Sequence, residues 1–257
     1  MGRRRLRVLV TRPAGQASGL CRLAEAAGFE AVRLAAIEIR ESGDPEALQR
    51  LAGKLDSYDL AVFISVNAVT YGLDYLLARE DWPAQVKIAT VGSGSAAALR
   101  EYGLAPDLVP AHRFNSEGLL ALEDLQDMRG KRVVILRGNG GRDHLCDTLR
   151  ARGAVVDYVE VYRRACPEID PQLISALLQP GMLDVVTVTS NETLLNLMNM
   201  AGPAGQPLLR VLPLVVVSER QALLAQELGF EQAAMVAENA SDAALVEQLK
   251  TFAMRNR

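Results

Sequence analysis

The 257-residue chain contains 49% hydrophobic and 23% charged residues, which is typical of a globular protein with one large domain or two of ordinary size. Its formal net charge of -3 argues against non-specific binding to nucleic acid, which requires a basic surface. A local group of hydrogen-bond donors on such a surface can still bind an anionic ligand.

The basic start of the chain is followed by an apolar run, Leu6 to Val10, that is too short for a secretion signal. No apolar stretch reaches the roughly 18 residues that predict a membrane span. The cysteines, Cys21, Cys146 and Cys166, lack metal-ligand spacing and indicate reduced thiols in the cytoplasm. With only two histidines, we expect neither a histidine-based metal site nor a Ser-His-Asp mechanism.

Short apolar strands alternate with amphipathic helices in both halves of the chain. In the first half, strands are predicted at LRVLVT, DLAVFIS and VKIATV. Four helices are predicted there: one that ends at Gly28, one that begins at Asp44-Pro45, one that begins near Asn67 and one at about 94–102. In the second half, strands are predicted at KRVVIL, DVVTVTS and LPLVVV. Four helices are predicted there as well: one that ends at Gly153, one that begins at Asp170-Pro171, one that begins near Asn191 and one at about 219–228. Because buried parallel strands are almost continuously apolar, this pattern predicts an α/β fold with parallel sheets covered on both faces.

The two halves also match each other at an offset of 125 residues. The matches are Arg7-Val8 with Arg132-Val133, Arg12 with Arg137, Gly15 with Gly140, Leu20-Cys21 with Leu145-Cys146, Gly28 with Gly153, Asp59 with Asp184, Ser65 with Ser190, Ser93 with Ser218 and Ser116 with Ser241. Since the matches cover so much of the chain at one offset, we interpret it as two copies of one unit, roughly 7–125 and 132–250.

Two segments, Leu34–Arg40 and Val159–Arg163, alternate apolar with polar or small residues. This alternation suits a half-exposed ribbon better than a buried parallel strand. If the segments pair, the chain leaves one domain through the first and returns through the second. Each domain then combines the opening of one copy with the remainder of the other. Two sequential domains, one per copy, are the alternative, and the pattern alone does not decide between them.

Small, polar or basic residues follow the predicted strands, at the positions where open parallel sheets bind ligands. These positions are Thr11-Arg12, Ser65-Val66-Asn67, Gly92-Ser93-Gly94-Ser95, Arg137-Gly138-Asn139-Gly140, Ser190-Asn191 and Ser218. Each serine or asparagine alone is typical of a helix cap, but so many such turns at strand ends predict a site for carboxylates or phosphates. Nucleotide binding is disfavoured, because no glycine turn completes G-x-G-x-x-G and no Walker A motif is present.

Three side chains near these turns could carry chemistry. Arg12 and Arg137 follow the first strand of each copy, where a guanidinium either clamps a substrate carboxylate or forms an ion pair that braces the end of the sheet. Tyr162 provides the only hydroxyl on the proposed ribbon. It either packs its ring and exposes its hydroxyl, or faces a cleft between domains and donates a proton or hydrogen bond there.

From about Arg7 to Leu249 the chain resembles the uroporphyrinogen-III synthase family. In chain order, the segments that carry the resemblance are VLVTRPAGQ, FISVNAV, TVGSGSAAALREYG, RGNGGRDHLCDTLRARGA, VEVYRRA, VTSNETL and VVVSERQALLAQELGF. Each motif is weak alone, and the identification depends on their order and spacing.

The resemblance implies two Rossmann-like or flavodoxin-like domains joined by a two-stranded β-ribbon. On this basis residues 1–36 and 167–257 form one domain, 43–158 form the other, and 37–42 with 159–166 form the linker. It also implies a cytoplasmic monomer that uses no metal or organic cofactor and that makes transient contact with hydroxymethylbilane synthase.

The implied activity is that of a cyclising lyase. Linear hydroxymethylbilane loses water and closes with inversion of ring D to give uroporphyrinogen III, the precursor of haem, sirohaem and cobalamin. Because the substrate carries eight carboxylates and cyclises unaided to the uninverted isomer, the enzyme mainly has to fold it and favour one transition state.

Carried over by position, the resemblance assigns the catalytic role to Tyr162, as the residue that donates a proton to the leaving hydroxyl or orients it. It assigns substrate binding to Arg12, Ser65, Val66, Asn67, Gly92, Ser93, Gly94, Ser95, Arg137, Gly138, Ser190 and Asn191. At Ser218-Glu219-Arg220 the chain departs from the G-P-T-T-like turn of some relatives, which puts donors there in doubt.

Two other functions are compatible with the pattern. A non-catalytic two-domain protein that closes around an organic anion would share the donor-rich turns but would show affinity without turnover. A nucleotide-dependent transferase of similar fold is less consistent with the incomplete glycine motifs.

Overall fold

The computed structural model describes residues 4–140 and 143–255. Within these ranges no helix combines the length and the apolar character that spanning a bilayer requires. The described residues divide into two compact units: the first combines the chain up to Glu38 with the chain from Ala165 onward, and the second is Ile39–Arg164.

Strands and helices alternate through both units. In chain order the strands are β1 (Arg7–Val10), β2 (Glu30–Arg33), β3 (Glu38–Glu41), β4 (Leu60–Phe63), β5 (Lys87–Thr90), β6 (Arg132–Gly138), β7 (Val155–Ala165), β8 (Val185–Thr187), β9 (Leu214–Val216) and β10 (Met235–Val236). The α-helices are α1 (Ser18–Ala26), α2 (Pro45–Ala52), α3 (Val66–Leu76), α4 (Ser93–Glu101), α5 (Ser116–Leu120), α6 (His144–Ala151), α7 (Pro171–Leu177), α8 (Asn191–Arg210), α9 (Glu219–Glu227) and α10 (Asp242–Arg255).

Each unit is built on a five-stranded sheet. The strand order is β10-β9-β8-β1-β2 in the first unit and β3-β7-β6-β4-β5 in the second. Neighbouring strands from β10 to β2 and from β7 to β5 run parallel. The prediction of α/β units with parallel sheets is therefore confirmed.

Both faces of each sheet are buried by helices, as the nearly continuous apolar strands predict. In the first unit, Leu9 packs in one apolar cluster while Val8 and Val10 pack in another. In the second unit, Phe63 and Val62 divide between two clusters in the same way. Successive residues of a strand point to opposite faces, so each central strand contributes to two cores.

Several local predictions are confirmed, and some elements were missed. Asp44 and Asp170 cap α2 and α7 by accepting backbone N–H groups, and Gly28 and Gly153 follow α1 and α6 with φ of 91° and 95°, which favours glycine. The elements α5, β10 and α10 were not predicted from the sequence. The last of these helices packs against α1.

The segments expected to form a ribbon are hydrogen-bonded neighbours, since β3 lies beside β7 in the second sheet, but the first strand is shorter than expected and the second also pairs with β6. Leu34 and Ile37 are buried, and β3 begins only at Glu38. The second segment is the end of β7, which pairs in parallel with β6 as far as Tyr162. Val159 and Val161 are buried there, because β6 and the helices cover this part of the strand.

A strand from the first half of the chain pairs with one from the second half in the middle of each sheet. At each of these pairs a carboxylate accepts the first backbone N–H of the neighbouring strand. Asp184 accepts from Arg7 at 2.7 Å, and Asp59 accepts from Arg132 at 2.8 Å. Lys131 also donates to Asp59 at 2.9 Å. The bond from the Arg132 backbone and that from Lys131 lower the pKa of Asp59.

We expect Asp59→Ala to lower the free energy of unfolding near neutral pH by about 1 kcal/mol, a modest value because water reaches this carboxylate. A carboxyl group whose pKa is lowered by folding stabilises the folded protein at pH values above its unfolded-state pKa of about 3.9. This contribution to stability is lost as the pH falls through the folded-state pKa. Urea unfolding of the wild type and the variant should therefore give progressively closer stabilities as the pH is lowered below the unfolded-state pKa. Asp81→Ala, at an exposed position, serves as the control, and an Asp59→Ala loss independent of pH would contradict the assignment.

Candidate functional site

The carboxyl ends of the parallel strands meet at one edge of each sheet, where the predicted site residues lie. At this edge of the second unit are Tyr162, Arg137-Gly138, Ser65-Val66-Asn67 and Gly92-Ser93-Gly94-Ser95. At the corresponding edge of the first unit are Arg12, Ser190-Asn191 and Ser218. We call these two groups the second-unit edge and the first-unit edge.

Three of the predicted serines are helix caps, among them Ser218, whose Oγ accepts the N–H of Gln221 at 3.4 Å at the start of α9. Ser65 Oγ accepts the N–H of Ala68 at 3.0 Å at the start of α3, and Ser190 Oγ accepts the N–H of Thr193 at 3.0 Å at the start of α8. Gly92 holds the equivalent position at α4, where no side chain of the described residues caps the first turn. The capping interpretation of the serines is thus confirmed, and α4 presents backbone N–H groups without a capping side chain.

An irregularity between β6 and β7 sets the position of Tyr162. Arg137 pairs with Glu160, but Gly138 pairs with Tyr162, so β7 contains one extra residue at this point. A bulge breaks the alternation of side chains along a strand. As a result Val161 and Tyr162 are both buried, at 1% and 6% exposure.

The hydroxyl of Tyr162 lies against the start of α3. Its oxygen is 3.2 Å from Ser65 Oγ, and either atom can donate. The ring lies 6.0 Å from the ring of Tyr71. Neither interpretation of Tyr162 from sequence included the contact with Ser65, because the bulge cannot be read from the local pattern.

Gly138 is required by the close approach of this tyrosine. A Cβ at position 138 would lie 2.5 Å from Cζ and 2.9 Å from the hydroxyl oxygen of Tyr162. Both distances are shorter than van der Waals contact. Gly138 and Ser65 therefore enclose the phenol end of Tyr162 from two sides.

The side chain of Asn139 ties the end of β7 to the turn after β6. Its Oδ1 accepts the Arg164 N–H at 2.6 Å, and its Nδ2 donates to the Arg164 carbonyl at 3.2 Å. The two bonds extend the contact between the strands past the bulge. Asn139 was noted in the turn but not assigned to the site, since its partner is identified only by the strand order.

Arg137 makes its contacts within its own turn. Its guanidinium donates to the carbonyls of Gly138 and Gly140 and pairs with Asp143 at 3.1 Å. It also lies 4.6 Å from the centre of the Tyr158 ring. Burial raises the pKa of Tyr158 to about 12, so its phenol stays neutral even at pH values at which an exposed tyrosine ionises.

Arg12 is engaged in a similar way at the first-unit edge. It pairs with Asp242 at 2.7 Å and donates to the Ala240 carbonyl at 3.0 Å. These contacts, like those of Arg137, are the ones that the bracing interpretation expects. Asp242 could not be predicted as the partner of Arg12, because the two residues are far apart in the sequence. Asp143 lies just before α6 and only a few residues after Arg137, so that pair could have been proposed from its spacing.

The remaining predicted residues differ in exposure. Ser93, Gly94 and Val66 are exposed, Asn67 and Asn191 are half-buried, and Ser95 is buried. The accessible part of the second-unit edge is thus mainly the start of α3 and of α4.

Fold and site together define a two-unit parallel α/β protein whose glycine-rich and polar turns collect at the carboxyl edges of its sheets, where α/β proteins bind small ligands. The family model described as uroporphyrinogen-III synthase HemD matches residues 18–247. This chain belongs to the uroporphyrinogen-III synthase family, as its sequence motifs suggested.

Individual relatives agree with the family match. The chain is 36% identical over 246 residues to the uroporphyrinogen-III synthase of Escherichia coli K12, covering 95% of this chain and 99% of the relative. The Salmonella typhimurium LT2 uroporphyrinogen-III synthase is 34% identical over the same shares of both chains. Among solved structures, the fold is similar to uroporphyrinogen-III synthetase of Helicobacter pylori 26695, with a TM-score of 0.62 at 16% identity over 97% of this chain and 100% of that one. A mutant uroporphyrinogen III synthase of Thermus thermophilus gives a TM-score of 0.61 at 21% identity over 97% and 99%.

We expect Gly138→Ala to destabilise the protein by about 1–3 kcal/mol, because the added methyl group forces Tyr162 or β6 to move. Gly43→Ala is the matched control, since a Cβ there would meet no described atom within 4 Å. Urea unfolding of the single variants and of Gly138→Ala combined with Tyr162→Ala forms a double-mutant cycle. The cost of Gly138→Ala should fall in the Tyr162→Ala background, and an unchanged cost would show that the tyrosine is not the reason for the glycine.

Proposed function

We propose that this protein is a uroporphyrinogen-III synthase that closes hydroxymethylbilane to uroporphyrinogen III with loss of water and inversion of ring D. The observation that carries this proposal is 36% identity to the Escherichia coli K12 enzyme over nearly the whole of both chains. The chemical class is then that of a lyase in tetrapyrrole biosynthesis.

The reaction needs little chemical assistance from the protein. A pyrrole nitrogen of the substrate can expel the hydroxymethyl oxygen, which takes up a proton and leaves as water. The substituted α-carbon of ring D attacks the resulting azafulvene carbon and gives a spiro intermediate. The bond from that α-carbon to the methylene bridge of ring C then breaks, the bridge bonds to the free α-carbon of ring D, and loss of the proton there leaves ring D inverted. The protein contributes by holding the chain in the geometry that favours inversion, and this is a matter of positioning and differential binding of the transition state. We therefore propose that the reaction requires no metal and no organic cofactor.

Tyr162 supplies the proton or hydrogen bond for the leaving hydroxyl in this proposal. The Ala68 N–H donates to Ser65 Oγ, and the Ser65 hydroxyl can then donate to the Tyr162 oxygen 3.2 Å away. A chain of donors polarises each successive group. This makes the Tyr162 hydroxyl a better donor to a departing oxygen.

The two edges supply the groups that recognise carboxylates. The N–H groups at the start of α4, the exposed Ser93 and the half-buried Asn67 belong to the second-unit edge, and Ser190 with Asn191 belong to the first-unit edge. Each bond from such a donor to a carboxylate contributes about 1.5–3 kcal/mol. Arg12 and Arg137 act as braces of the sheet ends in this proposal, because their guanidiniums already bind Asp242 and Asp143.

We also propose that β3 and the end of β7 form the linker and that the chain arose by duplication. The division into units falls within these two strands, at Glu38 and at Arg164. Corresponding residues of the two copies also make the same contact, since Asp59 and Asp184 both accept the first N–H of a neighbouring strand.

We propose that the protein is a cytoplasmic monomer that receives its substrate during transient contact with hydroxymethylbilane synthase.

An isomer assay tests the function. Hydroxymethylbilane is generated with a deaminase, this protein is added without metals or nucleotides, and the oxidised products are separated into type I and type III uroporphyrins. Type III should predominate. Type I alone from the folded protein would remove the proposal and leave a non-catalytic anion-binding protein as the better explanation.

We expect Tyr162→Phe to lower turnover on the order of 100-fold, the low end of the effect of proton transfer, because the hydroxyl can also leave unaided. Tyr71→Phe is the matched control: it removes a nearby hydroxyl that donates to the Ile39 carbonyl at 3.2 Å. Single-turnover rates of both variants, with thermal unfolding to confirm the fold, give the comparison. Equal rates for Tyr162→Phe and the wild type would exclude the acid role of Tyr162.

A further inference from the structure

Phe114 and Val66 form an exposed apolar pair on the second-unit edge. Their exposed fractions are 55% and 44%. A Cβ at Gly92 would lie 3.8 Å from Cβ of Phe114, and a Cβ at Gly94 would lie 3.5 Å from Cγ2 of Val66. The two side chains therefore adjoin a stretch of backbone, Gly92–Gly94, from which two side chains are missing. We call this surface the glycine trough.

The turn that carries Phe114 is held in place by its neighbours. The Asn115 N–H donates to the Arg113 carbonyl at 2.8 Å, and Asn115 Oδ1 accepts the Gly118 N–H at 2.8 Å. A Cβ at Gly118 would lie only 1.8 Å from the Arg113 oxygen, so a larger residue would push the turn away. The fold thus fixes a large apolar ring in a position where water contacts more than half of it.

Single exposed apolar residues are common and need no explanation. The glycine trough differs because Phe114 lies beside Gly92 and Val66 lies beside Gly94, so that two apolar side chains adjoin a floor from which two side chains are missing, at the carboxyl edge of the sheet. A floor of this kind accepts a flat ring in contact with the backbone. Arg113, exposed in the same turn, carries a positive charge, which complements a ring that bears carboxylates.

We infer that Phe114 is a substrate-positioning residue: together with Val66 it holds one pyrrole ring of the linear tetrapyrrole over Gly92 and Gly94. This inference rests on the proposed function and adds a residue that the sequence motifs do not contain. A ring seated here buries both of its apolar edges while its carboxylates remain near Arg113 and Ser93. The contact is present before and during ring closure, so it affects binding more than the chemical step.

The test compares Phe114→Ala, Phe114→Leu and Val155→Ala. Val155 is the matched control because it is 60% exposed and lies in the same unit at the start of β7, at the opposite end of the sheet. We measure KM and kcat for type III formation, the Kd for uroporphyrin III by equilibrium dialysis, and the thermal unfolding temperature. Phe114→Ala should raise KM and Kd about 3- to 10-fold, the range expected for loss of one aromatic contact, with kcat and unfolding temperature unchanged. Phe114→Leu should restore part of the loss, and Val155→Ala should match the wild type.

Several outcomes would overturn this inference while leaving the proposed function intact. The first is that the wild type forms type III and that Phe114→Ala has the same KM and Kd as the wild type. A parallel fall of kcat and unfolding temperature, which a structural role predicts, is another. A concentration-dependent dimer abolished by Phe114→Ala without any change in KM would assign the glycine trough to self-association. If the wild type forms only type I, the proposed function itself fails, and the dialysis then shows whether a tetrapyrrole still binds through Phe114.

Discussion

Pairing between strands from opposite halves of the chain, in the middle of each sheet, is the constraint on which the rest of this fold depends. Val8 pairs with Val185, and Leu60 pairs with Val133. Neither sheet can be completed within one half of the sequence, so contacts of long sequence separation must form before either core is closed. A carboxylate accepts the first N–H group of each pairing, and the parallel direction brings the carboxyl ends of the parallel strands to one edge of each sheet. The two candidate edges are thus a consequence of how the halves of the sequence pair.

A single extra residue in β7 sets the position of the Tyr162 side chain at the second-unit edge. Without the bulge, Tyr162 would point to the face opposite Val161. With it, the phenol packs on the bare backbone of Gly138 and reaches the cap of α3. The same serine therefore caps a helix and contacts the tyrosine hydroxyl. This dual use explains why the turns are small and polar: the backbone must approach closely, and the helices must start at the strand ends.

The sequence predicts most of the strands and helices because apolar runs, caps and glycines are local signals. Asp44 and Asp170 as caps, and Gly28 and Gly153 as helix ends, follow from chemistry within a few residues. The bulge, the Asp242 partner of Arg12 and the position of Phe114 beside Gly92 depend on strand order and loop path, which no local pattern contains. Sequence reasoning found the turns of the candidate site from their composition. It could not show that the arginines are already paired or that the tyrosine is buried.

The proposed function requires that the carboxyl edges of the two sheets bind the tetrapyrrole. The most direct measurement is a titration of the isotopically labelled protein with uroporphyrinogen III under anaerobic conditions, followed by backbone amide chemical shifts. We expect the largest shifts at Ser65, Gly92, Gly94 and Gly138 in the second unit and at Ser190 in the first. Shifts confined to the amino ends of the strands, near Asp59 and Val155, would contradict binding at these edges.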